Sequence, residues 1–315
     1  MAISSTTANL RYVTEPAGGV RAYQNSEADP ITGERKRNYG FESKDVVVEN
    51  LRGREDSVTL DTAGFQYFEH KSKHASFTND EEIYQEYYPE SIELIKSLTG
   101  ASRVVLFDHS MHAFRLSSNK ITLSYSFTAV RRRRPGELED HPGRRQPAVQ
   151  VHVDQTNKSS IARVQRHLPA ADVPKLLEGR FQIINLWRPI ANPALDWPLG
   201  LCDYKSVDEN DTFPMALIYP NHEGETLGVK YNPNHKWKYL HGMTPDEIVL
   251  IKWYVSLAFP RFSRSSEVHL FASFDSKQDG SVALFTPHTG FSDPSTPEGT
   301  PFRQSIELRA LVFYD

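Results

Sequence analysis

Three side chains of the 315-residue sequence have the types and spacing of a site for a divalent iron ion. His152-Val153-Asp154 carries an imidazole and a carboxylate two residues apart. On a β-strand such residues face the same side. They are two of the three ligands in the facial two-histidine, one-carboxylate set that leaves open positions on Fe(II). Short His-x-Asp pairs arise by chance in most chains, so the pair needs company. His288, in Pro287-His288-Thr289, directly follows the apolar run Val282-Ala283-Leu284-Phe285 and can supply the third donor from a strand end. Arg303-Gln304-Ser305 opens the last predicted strand, where a guanidinium fork and a hydroxyl on one face can grip a single carboxylate. Arg309 lies further along that face as a second cation, so the choice of arginine stays open. Alone, His288 reads as an ordinary hydrogen-bonded histidine and Arg303 as a surface residue of an edge strand.

These residues need strands to position them, and the sequence supplies many. Runs 103–107, 121–127, 148–153, 181–187, 217–219, 282–285 and 305–313 are rich in branched and aromatic residues, several alternating with polar ones. Helices are few. Asn79 can cap one running through Tyr87, interrupted by Pro89. A second, from Glu90 to Leu98, ends at Gly100. A third spans about Ala171 to Glu178. Thr244-Pro245-Asp246-Glu247 has the form of a capping box with proline in the first turn, which predicts a fourth helix. The expected fold is mainly β with flanking helices: a double-stranded β-helix, the cupin-like jelly roll. Residues 1–64 read as an extended arm packed on a core domain of residues 65–315. A jelly roll sets sequence-distant strands side by side, which makes the wide spacing from residue 154 to 288 reasonable.

The order His-x-Asp, His, Arg-x-Ser is that of 2-oxoglutarate-dependent oxygenases, and longer segments carry the likeness further. They are Val151-His152-Val153-Asp154-Gln155-Thr156, Ile183-Ile184-Asn185-Leu186-Trp187-Arg188-Pro189 and Pro198-Leu199-Gly200-Leu201-Cys202-Asp203, then Pro287-His288-Thr289-Gly290-Phe291-Ser292-Asp293-Pro294 and Arg303-Gln304-Ser305-Ile306-Glu307-Leu308-Arg309. Tyr87-Tyr88-Pro89-Glu90, Thr99-Gly100-Ala101 and Val105-Leu106-Phe107-Asp108-His109 also fit. Over roughly residues 65–315 the chain resembles the fungal hydroxylase/desaturase family of secondary metabolism, which includes gibberellin desaturase. The resemblance implies Fe(II), 2-oxoglutarate as cosubstrate and O2, with hydroxylation or desaturation of a small natural product. In these terms His152, Asp154 and His288 hold the metal, and Arg303 with Ser305 holds 2-oxoglutarate. Arg309 and Asn185 are further candidates for that cosubstrate. Two rivals stand beside this reading: an iron oxygenase of the same fold that does not consume 2-oxoglutarate, and a non-catalytic jelly-roll subunit. One departure is the passage from Lys252 to Phe274, longer than expected of relatives. It reads as an insertion shaping the pocket mouth, as a contact in a homodimer, or as a gene-model artefact.

Composition narrows the classes. A formal charge of −4 is too mild to attract nucleic acid or an anionic bilayer. The arginines from Arg131 to Arg145 are interleaved with Glu137, Glu139 and Asp140, as in a solvated hairpin loop. One cysteine, Cys202, excludes an intrachain disulfide framework and a multi-thiolate zinc site; it reads as a buried, inert thiol. The longest apolar stretch, 248–260, falls short of the roughly twenty residues that span a bilayer, and no signal sequence is evident, so a cytoplasmic protein is expected. Asp108, His109 and Arg115 read mainly as loop residues, Arg188 as an anchor or a structural arginine, and His70 and His74 as exposed. Tyr231, Trp237 and Tyr239 read as a pocket lid or as core.

Overall fold

Nine consecutive residues, Phe181–Pro189, are all buried, as a strand requires when it has neighbours on both edges and packing on both faces. In the computed structural model, Glu247–Ser256 and Gln304–Phe313 flank it, both antiparallel. Phe65–Glu69 extends this sheet beyond Glu247–Ser256, and Arg103–Phe107 extends it beyond Gln304–Phe313. The structure describes residues 4–27, 29, 32, 34–107, 109–115, 121–127, 129–136, 145–256 and 282–315. Among them a second sheet has nine strands. Their order is Ser5–Thr14, Gly40–Asn50, Trp237–Tyr239, Leu199–Cys202, His288–Gly290, His152–Val153, Glu223–Val229, Thr212–Ile218 and Ala22–Asn25. Neighbours distant in sequence are the mark of a jelly roll, and the fold is that double-stranded β-helix.

Period-two alternation decides which residues face the interior. On Phe181–Pro189, Ile183 and Trp187 point into a core with Phe65, Ile251, Trp253, Leu311 and, from the nine-stranded sheet, Leu201. Ile184 and Leu186 point the other way, with Leu250, Leu308 and Ala310, onto Ile83, Tyr87 and Ile95 of a helical layer. That layer runs without a break from Asp80 to Thr99. Asn79 caps it by accepting the Glu81 N–H. Pro89 does not interrupt it. The turns at Ile83–Tyr87 widen into a π-helix, and Pro89 falls in the first turn of Tyr88–Thr99, where its missing N–H costs little. Gly100 closes the helix at φ 71°.

The helix expected at Thr244 does not form. Glu247 N–H donates to the Thr244 carbonyl, and Thr244 N–H donates to Glu247 Oε2 at 2.7 Å, so the box closes a turn that leads into a strand. Ile248 through Ile251 are buried without exception; that demand on both faces is met by a central strand and not by an amphipathic helix. Conversely, Asn157–His167 is a helix that the sequence reading passed over. Its capping box pairs Thr156 with Ser159 rather than with the usual Glu or Gln. The strand expected over 148–153 contracts to His152–Val153, and that over 282–285 moves downstream to His288–Gly290. No described helix is long and apolar enough to cross a membrane. The passage 257–281, with most of the expected insertion, and the acidic part of the arginine-rich loop, 137–144, lie outside the described residues.

Candidate active site

His152 and His288 are cross-strand partners, held opposite one another where His152–Val153 meets His288–Gly290. Their ring centroids are 4.4 Å apart. Asp154 follows the first strand and turns its carboxylate between them: Oδ1 lies 3.3 Å from His152 Nε2 and Oδ2 3.5 Å from His288 Nε2. One donor atom from each residue falls within 4.8 Å of the others. The outer nitrogens are engaged. His152 Nδ1 is 2.8 Å from the Gln150 carbonyl and His288 Nδ1 is 3.0 Å from that of Thr286. These bonds place the proton on Nδ1 and leave Nε2 of both rings as a lone-pair donor, the usual support of a metal-binding histidine. Asp154 Oδ2 is buried with no hydrogen-bond partner. Two imidazoles and a carboxylate with one unsatisfied oxygen, converging on one point, fit a divalent iron ion.

Backbone detail upstream sets His288. Gly64, at φ 91°, accepts a 2.7 Å hydrogen bond at its carbonyl from Thr286 Oγ1. A Cβ at Gly64 would collide with that hydroxyl and lie 2.9 Å from the Phe285 carbonyl oxygen. Trp253, on the strand facing the site, stacks on the His288 ring at 6.3 Å between centroids.

Charge around the triad is asymmetric. Burial would raise the Asp154 carboxyl, but the Arg309 guanidinium and His152 overcome it and hold the group well below the usual carboxylate range. Burial pushes His288 down; the adjacent Asp154 carboxylate outweighs it and leaves the imidazole above its ordinary value. Arg309 Nη2 is 3.7 Å from Asp154 Oδ1, and its guanidinium lies 4.6 Å over the Trp253 ring. Arg309 therefore stands beside the triad.

Arg303 occupies another part of the same narrow cavity, whose walls include the triad, Arg131, Trp187, Gly290, Glu307 and Arg309. It is 2% exposed, and Nη1 donates to the Trp197 carbonyl. Nε has no partner. Among the described residues no carboxylate forms an ion pair with it. Burial first, then Arg131, lowers its guanidinium to about 9. Gly290 makes room, since a Cβ there would lie 3.2 Å from Arg303 Nη1. Ser305 Oγ is buried without a partner, although Ser305 is not in the cavity wall. Asn185 pairs in register with Arg309, but its amide Nδ2 donates to Glu307 Oε1, and the residue does not line the cavity.

Glu307, Trp253 and Arg131 were missed by sequence reasoning. Glu307 was legible, since it alternates with Arg303, Ser305 and Arg309 on one face. The others meet the site only through folding. Exposure is corrected for His74 and for the arginines from Arg131, and the open alternatives for Arg188, Trp237 and Tyr239 are decided. Arg188 faces the helical layer, donating to the Pro245 carbonyl and to His70 Nδ1. His74 is buried beside Phe77, its Nδ1 2.8 Å from Glu86 Oε2, because the chain before Asn79 folds under the helix. Trp237 and Tyr239 are buried strand residues around Tyr12, not a lid. Arg131 to Arg134 and Arg145 are half-buried rather than solvated, the first four bonded to Gln146, Gln304 and Asp196 and the Arg145 carbonyl accepting from Arg132 N–H. Cys202 is buried, and burial raises its thiol to about 12, so it is inert. Asp108 and the side chains of His109 and Arg115 lie outside the described residues.

Comparison with known proteins agrees with the geometry. A family model described as an oxidoreductase/YMDC permease-like domain matches residues 10–261 and 258–313. A hydroxylase/desaturase, efuI of Hormonema carpetanum, is 32% identical over all of this chain and 97% of its own length. The hydroxylase/desaturase CTB9 of Cercospora beticola is 32% identical over 87% of this chain and 78% of its own. Among solved structures, the iron and alpha-ketoglutarate-dependent endoperoxidase NvfI superposes with a TM-score of 0.75 at 24% identity, covering 99% of this chain and 98% of that one, a likeness of fold. The protein belongs to the fungal hydroxylase/desaturase family.

Proposed function

We propose that this protein is an Fe(II)/2-oxoglutarate-dependent dioxygenase that hydroxylates or desaturates a small molecule of fungal secondary metabolism. The observation that carries the proposal is the convergence of His152, Asp154 and His288 in one cavity with a buried guanidinium, Arg303, that forms no ion pair with a carboxylate among the described residues. Bound by the triad, iron would supply the activation of O2 coupled to decarboxylation of 2-oxoglutarate, and hence oxidation of a C–H bond.

The chain's own residues do the rest. The Gln150 and Thr286 carbonyls fix both imidazoles as neutral Nε2 donors. Arg309 neutralises part of the Asp154 charge and, with Trp253, keeps that side of the triad dry. Arg303 takes the remote carboxylate of 2-oxoglutarate in a charge-assisted pair inside a low-dielectric wall; the buried Ser305 hydroxyl, two residues along but outside that wall, is the second candidate donor. Glu307 holds Asn185 and offsets Arg131 at 3.9 Å, keeping the wall between the arginines neutral.

The test is anaerobic. Purified protein should bind one Fe(II), then 2-oxoglutarate, and on admission of oxygen release succinate. His152→Ala, Asp154→Ala and His288→Ala should each abolish stoichiometric iron. Iron binding without succinate would replace the proposal with an iron oxygenase that does not consume 2-oxoglutarate. Wild-type protein that never holds iron would replace it with a non-catalytic subunit.

A further inference from the structure

Outside the triad lies a larger cavity of about 340 Å3, which shares Arg131, His152, Asp154 and Arg309 with the narrow one. That volume suits a small organic molecule. Its lining is unbalanced in charge: among the described residues, nine lining side chains are Arg or Lys and three are Asp or Glu. One of the three is Asp154 itself. The other two, Glu223 and Glu225, both pair with Arg21, at 2.7 and 2.9 Å, a cation outside the lining. The whole chain carries −4, so this concentration of cationic side chains, some of them engaged elsewhere as Arg131 is with Glu307 at 3.9 Å, is a local feature of the described lining.

Separate elements deliver the cations. Arg35 and Arg37 come from the loop before Gly40–Asn50, and Arg131 and Arg145 from the bridged loop on the far side. The helix Asn157–His167 begins three residues after Asp154. It turns Lys158, Arg163 and Arg166 toward the cavity while Ser160 and Val164 are buried beneath it. Arg163 lies 5.5 Å over the Phe107 ring, and Arg166 Nη1 is 3.4 Å from His222 Nε2. Burial, then Arg166 and Arg163, lowers the His222 imidazole, as a positive field would. A merely solvated basic helix face would have no reason to meet cationic side chains from two other parts of the chain around one cavity.

We infer that the substrate carries a carboxylate, and that the Lys158–Arg163–Arg166 face of this helix together with Arg35, Arg37, Arg131 and Arg145 binds it, leaving an apolar body against Phe41, Met215 and Leu217 with a C–H bond toward the triad. The inference rests on the oxygenase reading for the second half of that placement only. A concave wall of like charge concentrates an anion more strongly than the same residues on an open surface.

The probes are 1-naphthaleneacetate and the matching alcohol, 2-(1-naphthyl)ethanol, titrated by fluorescence into anaerobic protein saturated with Mn(II) and 2-oxoglutarate. The acid should bind about tenfold tighter at low salt, a preference worth about 1.4 kcal/mol, and added salt should shrink it. The double variant Lys158→Gln/Arg166→Gln, both exposed positions, should lose most of the preference with unchanged 2-oxoglutarate affinity and melting temperature. Equal affinities for acid and alcohol would overturn the inference, as would a preference that survives in the double variant or an acid displaced by excess 2-oxoglutarate. Failure to bind Mn(II) and 2-oxoglutarate would instead count against the oxygenase reading, and the acid preference would then be judged on the protein alone.

Discussion

Two arginines on one strand face, six residues apart, have different environments. Arg309 borders the triad, whereas Arg303 is enclosed with an unsatisfied Nε. Arg303→Met should therefore weaken 2-oxoglutarate binding about a hundredfold, roughly 3 kcal/mol for a buried charge pair that loses one partner, with iron affinity nearly unchanged. Arg303→Lys should recover only part, since the fork is lost. Arg309→Met should do the reverse, changing iron affinity first because Asp154 loses its nearest cation. Anaerobic titrations of metal and of 2-oxoglutarate separate the two. A second residue-scale prediction concerns Gly64. Its φ of 91° and the Thr286 hydroxyl pressed against it leave no room for a methyl group. Gly64→Ala should move Thr286, whose carbonyl orients His288, and so weaken iron binding as well as lowering the melting temperature.

At the scale of elements, the strand Glu247–Ser256 carries much of the architecture, and its first residue is its fastening. Arg52 pairs with both Glu247 oxygens, Nη2 to Oε2 at 3.1 Å, and Thr244 N–H donates to the same carboxylate. Burial would raise the Glu247 carboxyl, but the Arg52 bond and the Thr244 N–H more than offset it, so it titrates below its ordinary 4.5. A carboxyl whose pKa is depressed on folding adds stability above its unfolded value and loses it as pH falls through the folded one. Urea denaturation should show this contribution, about 1–2 kcal/mol, present at pH 7 and gone well below pH 4. Glu247→Gln should be less stable at pH 7 by that amount and lose less than wild type on acidification.

For the whole molecule, the first fifty residues are structural. Ser5–Thr14 and Gly40–Asn50 pair over ten residues, and Leu10, Tyr12 and Val48 fill the core beneath Trp237 and Tyr239. Removing residues 1–50 would strip three strands from the nine-stranded sheet and leave the edge of Trp237–Tyr239 unpaired. A chain starting at residue 51 should be insoluble or unfolded by circular dichroism; a soluble, iron-binding product would mean that the later residues fold alone. The charge map also belongs to this scale. Nine of the 36 lysines and arginines line one cavity of a chain whose formal charge is −4, so association with an anion there should weaken with salt even though the protein as a whole is negative.

What the sequence determined by itself was the candidate chemistry: the donor types His152, Asp154 and His288, the candidate cation-and-hydroxyl pair Arg303 and Ser305, and enough alternating strands to require a layered β fold. These were legible because donor chemistry and period-two alternation are local properties, readable a few residues at a time. Only the tertiary structure decided that His152 and His288 are cross-strand partners, that Arg309 serves the triad while Arg303 faces the enclosed wall, and that Asn185 is spent on Glu307. It also turned the Thr244 box into a turn, because burial on both faces of Ile248 to Ile251 outweighs a local capping preference worth about 1 kcal/mol. Pairings across more than a hundred residues are fixed by which strands become neighbours, and that choice is made by the packing of the entire chain.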